Sequence, residues 1–291
     1  MWNIVWCVAC SVAVSVLLKV ARRQKIVLEQ AIAMNYIVAA VLCWVLLKPT
    51  LPASPATWSK LPWEVFLGLG VLLPSIFVVM GRAVERAGMV RADAAQRLSL
   101  FLPIVAAFTV FGERITQMRL IGVVLALVAL VCLLIKNNGG KKSGGFGALL
   151  LLLGVWCGYG VIDILFKQLA RGGAAFADNL FLVFLLALVI MWLYVLLTRP
   201  RFNLGSMVGG ALLGVLNFFN ILFYIKAHQA FHNNPSLVFA AVNVGIIAVA
   251  TLIGTLLFKE KLNRLNIAGL VLAVCAMAVL FYGNTLLKFA G

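Results

Sequence analysis

The chain has 291 residues, 64% of them hydrophobic and only 11% charged, and a net charge of +16. A soluble domain carries about 25% charged residues, so this composition excludes a soluble enzyme and describes a protein that crosses a membrane many times. The basic residues fall mostly in short gaps between apolar runs, where membrane proteins retain Lys and Arg. No soluble domain is left to present a nucleic-acid face, so the expected partners are the lipid bilayer and a small molecule, and not nucleic acid.

Spanning the hydrocarbon takes about 20 apolar residues. By that measure the sequence predicts ten segments, near 2–20, 28–47, 64–83, 92–111, 116–136, 146–169, 176–198, 207–230, 235–258 and 264–287. The first run, Trp2 to Leu18, has no basic leader and no small-residue cleavage site, and reads as a retained helix. Cys7, Cys10, Cys43, Cys132, Cys157 and Cys275 all lie inside apolar segments, where they read as small packing residues. Lys48 to Trp63, with Pro49, Pro52, Pro55 and Pro62, reads as an extended surface loop. Asn137 to Gly145 is a Gly- and Lys-rich linker that divides the chain into 1–136 and 146–291.

The division is also a repeat boundary. An offset of 147 residues (258 − 111) lays Phe111 to Leu133 on Phe258 to Leu280, and 8 of those 23 positions are identical. Glu113 meets Glu260, Gly122 meets Gly269, Ala126 meets Ala273, and Gln96 lies opposite Asn243. Five helices per half is an odd number, so the two halves run through the membrane in opposite senses. The expected fold is an all-α integral membrane protein of ten transmembrane helices, built as two inverted five-helix repeats around a central cavity. That architecture places a solute site at the repeat interface near midplane. Of the 24 Lys and Arg residues, 15 fall in the gaps after odd-numbered segments, 8 fall on the opposite side, and Arg97 lies within the membrane. The positive-inside rule then puts both termini outside the cytoplasm. The expected location is the cell membrane, in a bacterium the inner one.

Each half ends in a Phe-x-Glu turn with a basic residue after the acid, followed by a Gly-containing helix. These are Pro103…Phe111-Gly112-Glu113-Arg114…Gly122 and Phe258-Lys259-Glu260-Lys261…Gly269, with Trp6 and Trp156 early in each half. The pattern resembles the EamA-type ten-helix members of the drug/metabolite transporter superfamily, over essentially the whole chain. The resemblance implies that segments 1, 3, 4, 6, 8 and 9 surround a cavity while 5 and 10 pack peripherally. It also implies transport, with no cofactor. The second half departs from the pattern: Ala250 stands where Pro103 has its counterpart, and Lys259 replaces the Gly before Glu260.

Several residues are candidates for chemistry. Asp93 and Arg97 are four apart on the fourth segment, in the acid-first order that favours a pair. They form either a local ion pair near the headgroups, with Arg97 snorkelling, or an anion clamp built on the paired donors of a guanidinium. Gln96 lies beside them. Asp163 and Lys167 repeat the spacing on the sixth segment, and an acid so deep in a membrane helix is a proton-coupling candidate. Asn217, Asn220 and Tyr224 recur on one face of the eighth segment, with Asn243 on the ninth. A polar stripe on a membrane helix faces protein or water. Trp156 and Tyr159 supply a candidate aromatic wall, and Asn35 reads as interhelical glue. Glu113 and Glu260 read as turn and cap residues, and His228 and His232 as a pair at the membrane end without further metal ligands. Gly154–Gly158 and Gly210–Gly214 permit close helix approach, of half against half or of two copies in a homodimer.

The sequence contains no nucleotide-binding Gly-rich loop, no Asp-x-x-Asp and no His-Glu-x-x-His. The expected function is therefore secondary transport of a small polar metabolite, with an amino acid or another anionic or zwitterionic solute favoured. The alternative is an intramembrane enzyme acting on a lipid-linked substrate.

Overall fold

The computed structural model describes residues 1–21, 26–50, 62–87, 89–134, 146–172, 176–258 and 264–290. The linker 137–145, most of the Pro-rich loop, Glu260 and the side chains of Arg91 and Asp93 lie outside the described residues. Among the described residues the regular structure is all helical: α1 Trp2–Ala21, α2 Leu28–Leu47, α3 Trp63–Ala87, α4 Met89–Leu98, α5 Phe101–Thr109, α6 Gln117–Leu134, α7 Phe146–Arg171, α8 Phe176–Thr198, α9 Leu204–Ala230, α10 Pro235–Phe258 and α11 Arg264–Ala290. In hydrocarbon a backbone that cannot bond to water must bond to itself, which makes helices the solution for these apolar runs. Six spans within this set, on α2, α3, α7, α8, α9 and α10, are long and apolar enough to cross a membrane, and mark a membrane protein. Shorter apolar stretches lie in Trp2–Leu17, Ala94–Thr109, Gln117–Cys132 and Ile267–Tyr282.

The fourth predicted segment is two helices, α4 and α5, separated at Ser99 and Leu100. Pro103 is the physical cause. It has no N–H to give to the Ser99 carbonyl, and its ring crowds that carbonyl. The backbone tightens instead: the Leu102 N–H donates to Ser99 O at 3.0 Å and the Leu100 N–H to Arg97 O at 3.3 Å. The Ser99 hydroxyl donates back to Gln96 O at 2.6 Å. In the other half α10 runs unbroken through Ala250, where no proline stands.

Helices from the two sides of the linker interleave. α1 packs on α9 and α10, while α7 packs on α3, α4 and α5; α2 packs on α8 and α9, and α3 on α8. α6 and α11 pack along each other, and α10 lies against both. The outward positions Val124, Val128 and Val131 of α6 and Val271 and Val274 of α11 are exposed, as lipid-facing residues are. The stretches that align at the 147-residue offset thus meet in space. Ala126 and Ala129 share one buried cluster with their aligned counterparts Ala273 and Ala276, joined by Ala240 and Val244. Their small size is a contact requirement.

Glycines set the second close approach. A methyl group at Gly210 would run into the Ala31 carbonyl oxygen, and one at Gly214 would stand 2.8 Å from the Asn35 carbonyl oxygen. Both obstacles are the backbone of α2, so α9 and α2 touch main chain to main chain. On α7, a Cβ at Gly154 would meet only the Val79 side chain, at 3.4 Å. We expect Gly214→Leu to lower the unfolding midpoint of the detergent-purified protein sharply, since overpacking costs about 1–3 kcal/mol and more where backbone must move. Gly154→Ala should leave the midpoint nearly unchanged. Equal midpoints for the two variants in a fluorescence-monitored melt would contradict this packing.

Candidate functional site: a polar seam between the halves

α9 carries Asn217, Asn220 and Tyr224 on successive turns, and each of these three finds a partner on another helix. The Asn217 amide donates to Asn35 Oδ1 of α2 at 3.2 Å. The Asn220 amide donates to the Cys7 carbonyl of α1 at 3.0 Å and to the Ser11 hydroxyl. One turn on, the Tyr224 hydroxyl donates to Asp163 Oδ1 of α7 at 2.9 Å. The Tyr224 ring lies edge-on to Phe166 and to His228, the latter with centroids 4.8 Å apart. His228 is fully buried, and among the described residues neither of its ring nitrogens has a hydrogen-bond partner. Asn35 Nδ2 and Tyr36 Oη, also buried, are likewise without partners among the described residues. An unmet buried polar atom costs about 1–3 kcal/mol. Asn35 and Tyr36 lie on α2 and His228 in the last turn of α9, and Asn179 Oδ1 and Trp192 Nε1 of α8 are also without partners among the described residues.

Asp163 and Lys167 share a helix face but not a bond. Lys167 is fully buried and donates to the carbonyls of His228 at 3.3 Å and His232 at 3.0 Å, at the C-terminal end of α9. Those carbonyls lack intrahelical partners, and a cation offsets the partial negative charge at a helix C-terminus. Trp156 reaches the break in the fourth segment, where its indole N–H donates to Leu98 O at 3.0 Å. Arg97 and Gln96, on the last turns of α4, are half-buried beside that break. Tyr159 is half-buried against both the main core and the α3–α7 cluster. Asn243 donates to Phe239 O of its own helix at 3.0 Å and is half-buried.

The structure therefore joins Asp163 to Tyr224 and sets Asn217 and Asn220 against α1 and α2. It places Arg97, Gln96 and Trp156 together at the α4–α5 break, and it leaves Asn243 on its own backbone. Sequence reasoning missed Ser11 and the carbonyl of Cys7. His228 does lie in the last turn of α9, as expected, but its complete burial was missed; the i+4 continuation of the Asn217–Asn220–Tyr224 face was the signal that could have found it.

Both ends of the bundle are tied by polar contacts. Glu113, whose side chain is fully buried, takes the Ser236 N–H at 2.9 Å and the Ser236 hydroxyl at 2.6 Å, and pairs with Arg119 Nε at 3.0 Å. It is the N-terminal cap of α10, supplied from the other half of the chain. Arg119 reaches on to Asn234 Oδ1 and to Arg114 O. At the same end Asp178 accepts from the N–H and hydroxyl of Thr50. At the opposite end Gln30 donates to Pro200 O and Arg201 O and accepts from the Asn203 N–H, while Ser206 accepts from the Val27 N–H. Apart from the bonds of Lys167 and Tyr224 and the Arg119 contacts with Glu113 and Arg114, each of these contacts beyond one local turn crosses from one half to the other.

Beside Glu113 a cavity of about 590 Å³ is lined by Phe111, Gly112, Glu113, Ala170, Arg171, Gln229, His232 and Asn233. Arg171 donates to Phe111 O at 3.4 Å and lies 4.6 Å over the Phe111 ring. Removing one partner of a buried ion pair costs about 3–5 kcal/mol, because the other charge stays behind. We expect Arg119→Leu to destabilise the protein on that scale and Glu113→Gln, which keeps an acceptor for Ser236, to cost less. Thermal melts of both variants check this ordering, and an Arg119→Leu melt equal to wild type would contradict it.

No protein-family model matches the chain. It is similar to the protein of known crystal structure that superposes with a TM-score of 0.72 at 13% identity, over 99% of this chain and 98% of that one, which is a likeness of fold alone. An uncharacterised protein of Haemophilus influenzae is 52% identical over 285 residues, 97% of this chain and 98% of the relative. At that identity and coverage the chain belongs to one family with the Haemophilus influenzae protein.

Proposed function

We propose that the chain is a secondary transporter moving a small polar metabolite, an amino acid or another anionic or zwitterionic solute, by alternating access between its halves. The observation that carries this reading is the polar seam: in a chain 64% hydrophobic, the long-range hydrogen bonds gather where one half meets the other. A scaffold would bury apolar residues there at less cost. The unpartnered Asn35 Nδ2, Tyr36 Oη and His228 nitrogens are groups that a polar solute can satisfy when the halves part.

Other observations support the finer picture of ten spans in two inverted repeats. The α1 contacts with α9 and α10 have their exchange partners in α7 with α3, α4 and α5. The Phe-x-Glu turns and the self-meeting alanines follow the same exchange. The resemblance to EamA-type transporters and an orientation with both termini outside the cytoplasm belong to this reading. Within it, Arg97, Asp93 and Gln96 with Trp156 and Tyr159 form one wall of the solute path. Asn217, Asn220, Tyr224 and Asn243 form the other, and Asp163 with Lys167 handles a coupling proton.

A thermal-shift screen of the purified protein against amino acids, carboxylates and phosphorylated metabolites tests the proposal. A solute at about 100 times its Kd raises stability by about 2.7 kcal/mol. We expect one class to do so for wild type and to fail for Asn220→Leu and Arg97→Ala. In proteoliposomes Arg97→Ala should abolish uptake of that solute although the protein inserts. Asp163→Asn should exchange it without responding to a pH gradient. A panel that stabilises nothing, or variants that respond like wild type, would sink the reading.

A further inference from the structure

The cavity beside Glu113 lies outside the seam residues, and its charges do not cancel. Glu113 is the one acid among its lining residues, and it is spent: both oxygens are engaged by Ser236 and Arg119, and its side chain is fully buried. The charge of Lys167 is likewise used, on the terminal carbonyls of α9. Arg171 is different. It is exposed, and among the described residues it has no carboxylate partner; its contacts are one long bond to Phe111 O and the face of the Phe111 ring. A guanidinium has five N–H donors in a planar fork that fits a carboxylate or phosphate with two parallel bonds. Held over the Phe111 ring and bonded to the Phe111 carbonyl, that fork is partly ordered already, so less entropy is lost when an anion binds. The exposed polar residues His232 and Asn233 also line the cavity, and about 590 Å³ is room for a metabolite-sized ligand.

We propose that this cavity is an anion-binding site in which Arg171 grips a carboxylate or phosphate group, with His232 and Asn233 as additional donors. The group comes either from a free solute or from the headgroup of an anionic lipid. The proposal does not rest on the transport reading, because a site at the bundle end binds whether or not the halves move.

The test is a melt of the full-length protein in neutral detergent, with sodium succinate, inorganic phosphate or phosphatidylglycerol in mixed micelles, against sodium chloride at matched ionic strength. We expect at least one probe to give a saturable rise of about 2–4 °C in the midpoint. Arg171→Gln should weaken the apparent affinity at least tenfold, and Asn233→Asp, which sets a negative charge on the wall, should do so without touching Arg171. Arg201→Gln, which removes an exposed charge at the opposite end, should bind as wild type does. A response to succinate or phosphate assigns the site to a free solute, and a response to phosphatidylglycerol alone assigns it to a lipid headgroup. No shift beyond chloride, or one unchanged in Arg171→Gln and Asn233→Asp, would overturn the proposal. The assay reads binding at Arg171 only, so its failure leaves the seam untouched, and failure of the seam variants leaves this site standing.

Discussion

A polar group that leaves water for hydrocarbon must find its partner inside the protein. In this chain much of that requirement is met between the halves, while Lys167 and the Tyr224–Asp163 pair are satisfied within the second half. Asn217 depends on Asn35, Asn220 on α1, the Leu98 carbonyl on Trp156, and the first turn of α10 on Glu113. The partner of each of these groups comes from the other half. The halves therefore fold as one interleaved bundle. The same contacts are those that any relative movement of the halves must exchange.

Close packing keeps those bonds within reach. Gly210 and Gly214 bring α9 against the backbone of α2, which is what lets the short side chain of Asn217 meet Asn35. The alanines shared by α6, α10 and α11 hold the far side of the bundle as tightly. Apolar contact discriminates poorly among membrane helices, since lipid tails are as apolar as Leu, so small residues and hydrogen bonds set the arrangement. The proline break in the fourth segment adds a local irregularity on one side only. Trp156 stabilises it by taking the carbonyl that the break releases.

Much of the helix plan was legible in the sequence because in lipid an apolar run of sufficient length has one outcome. α2, α8 and α10 begin and end where the apolar runs predicted. The break at Ser99 and Leu100 escaped that ruler although Pro103 announced it, because apolar length alone does not register a missing N–H. The polar face of α9 was readable from its spacing as far as Tyr224. Its partners were not, since Cys7, Ser11 and Asn35 come from helices whose neighbours only the fold decides. Asp163 and Lys167 illustrate the limit. The i, i+4 spacing put them on one face, but the terminal carbonyls of α9 are nearer to what Lys167 needs than the carboxylate is. The turn acids were read as caps, and Glu113 is one, for a helix 123 positions away in sequence.

The central claim is that the Asn217–Asn220–Tyr224 face of α9 lines a path that opens to water, while its opposite face meets lipid. Cysteine accessibility measures this most directly. Single cysteines at 217, 220 and 224, in a background lacking the six native ones, would be treated in intact membranes with a membrane-impermeant thiol reagent. Cysteines at the exposed positions Val208 and Leu212 serve as lipid-facing references. The account predicts labelling at 217, 220 and 224 and little at 208 and 212. Stripe positions silent from both sides of the membrane, or labelled no faster than the lipid-facing ones, would contradict it.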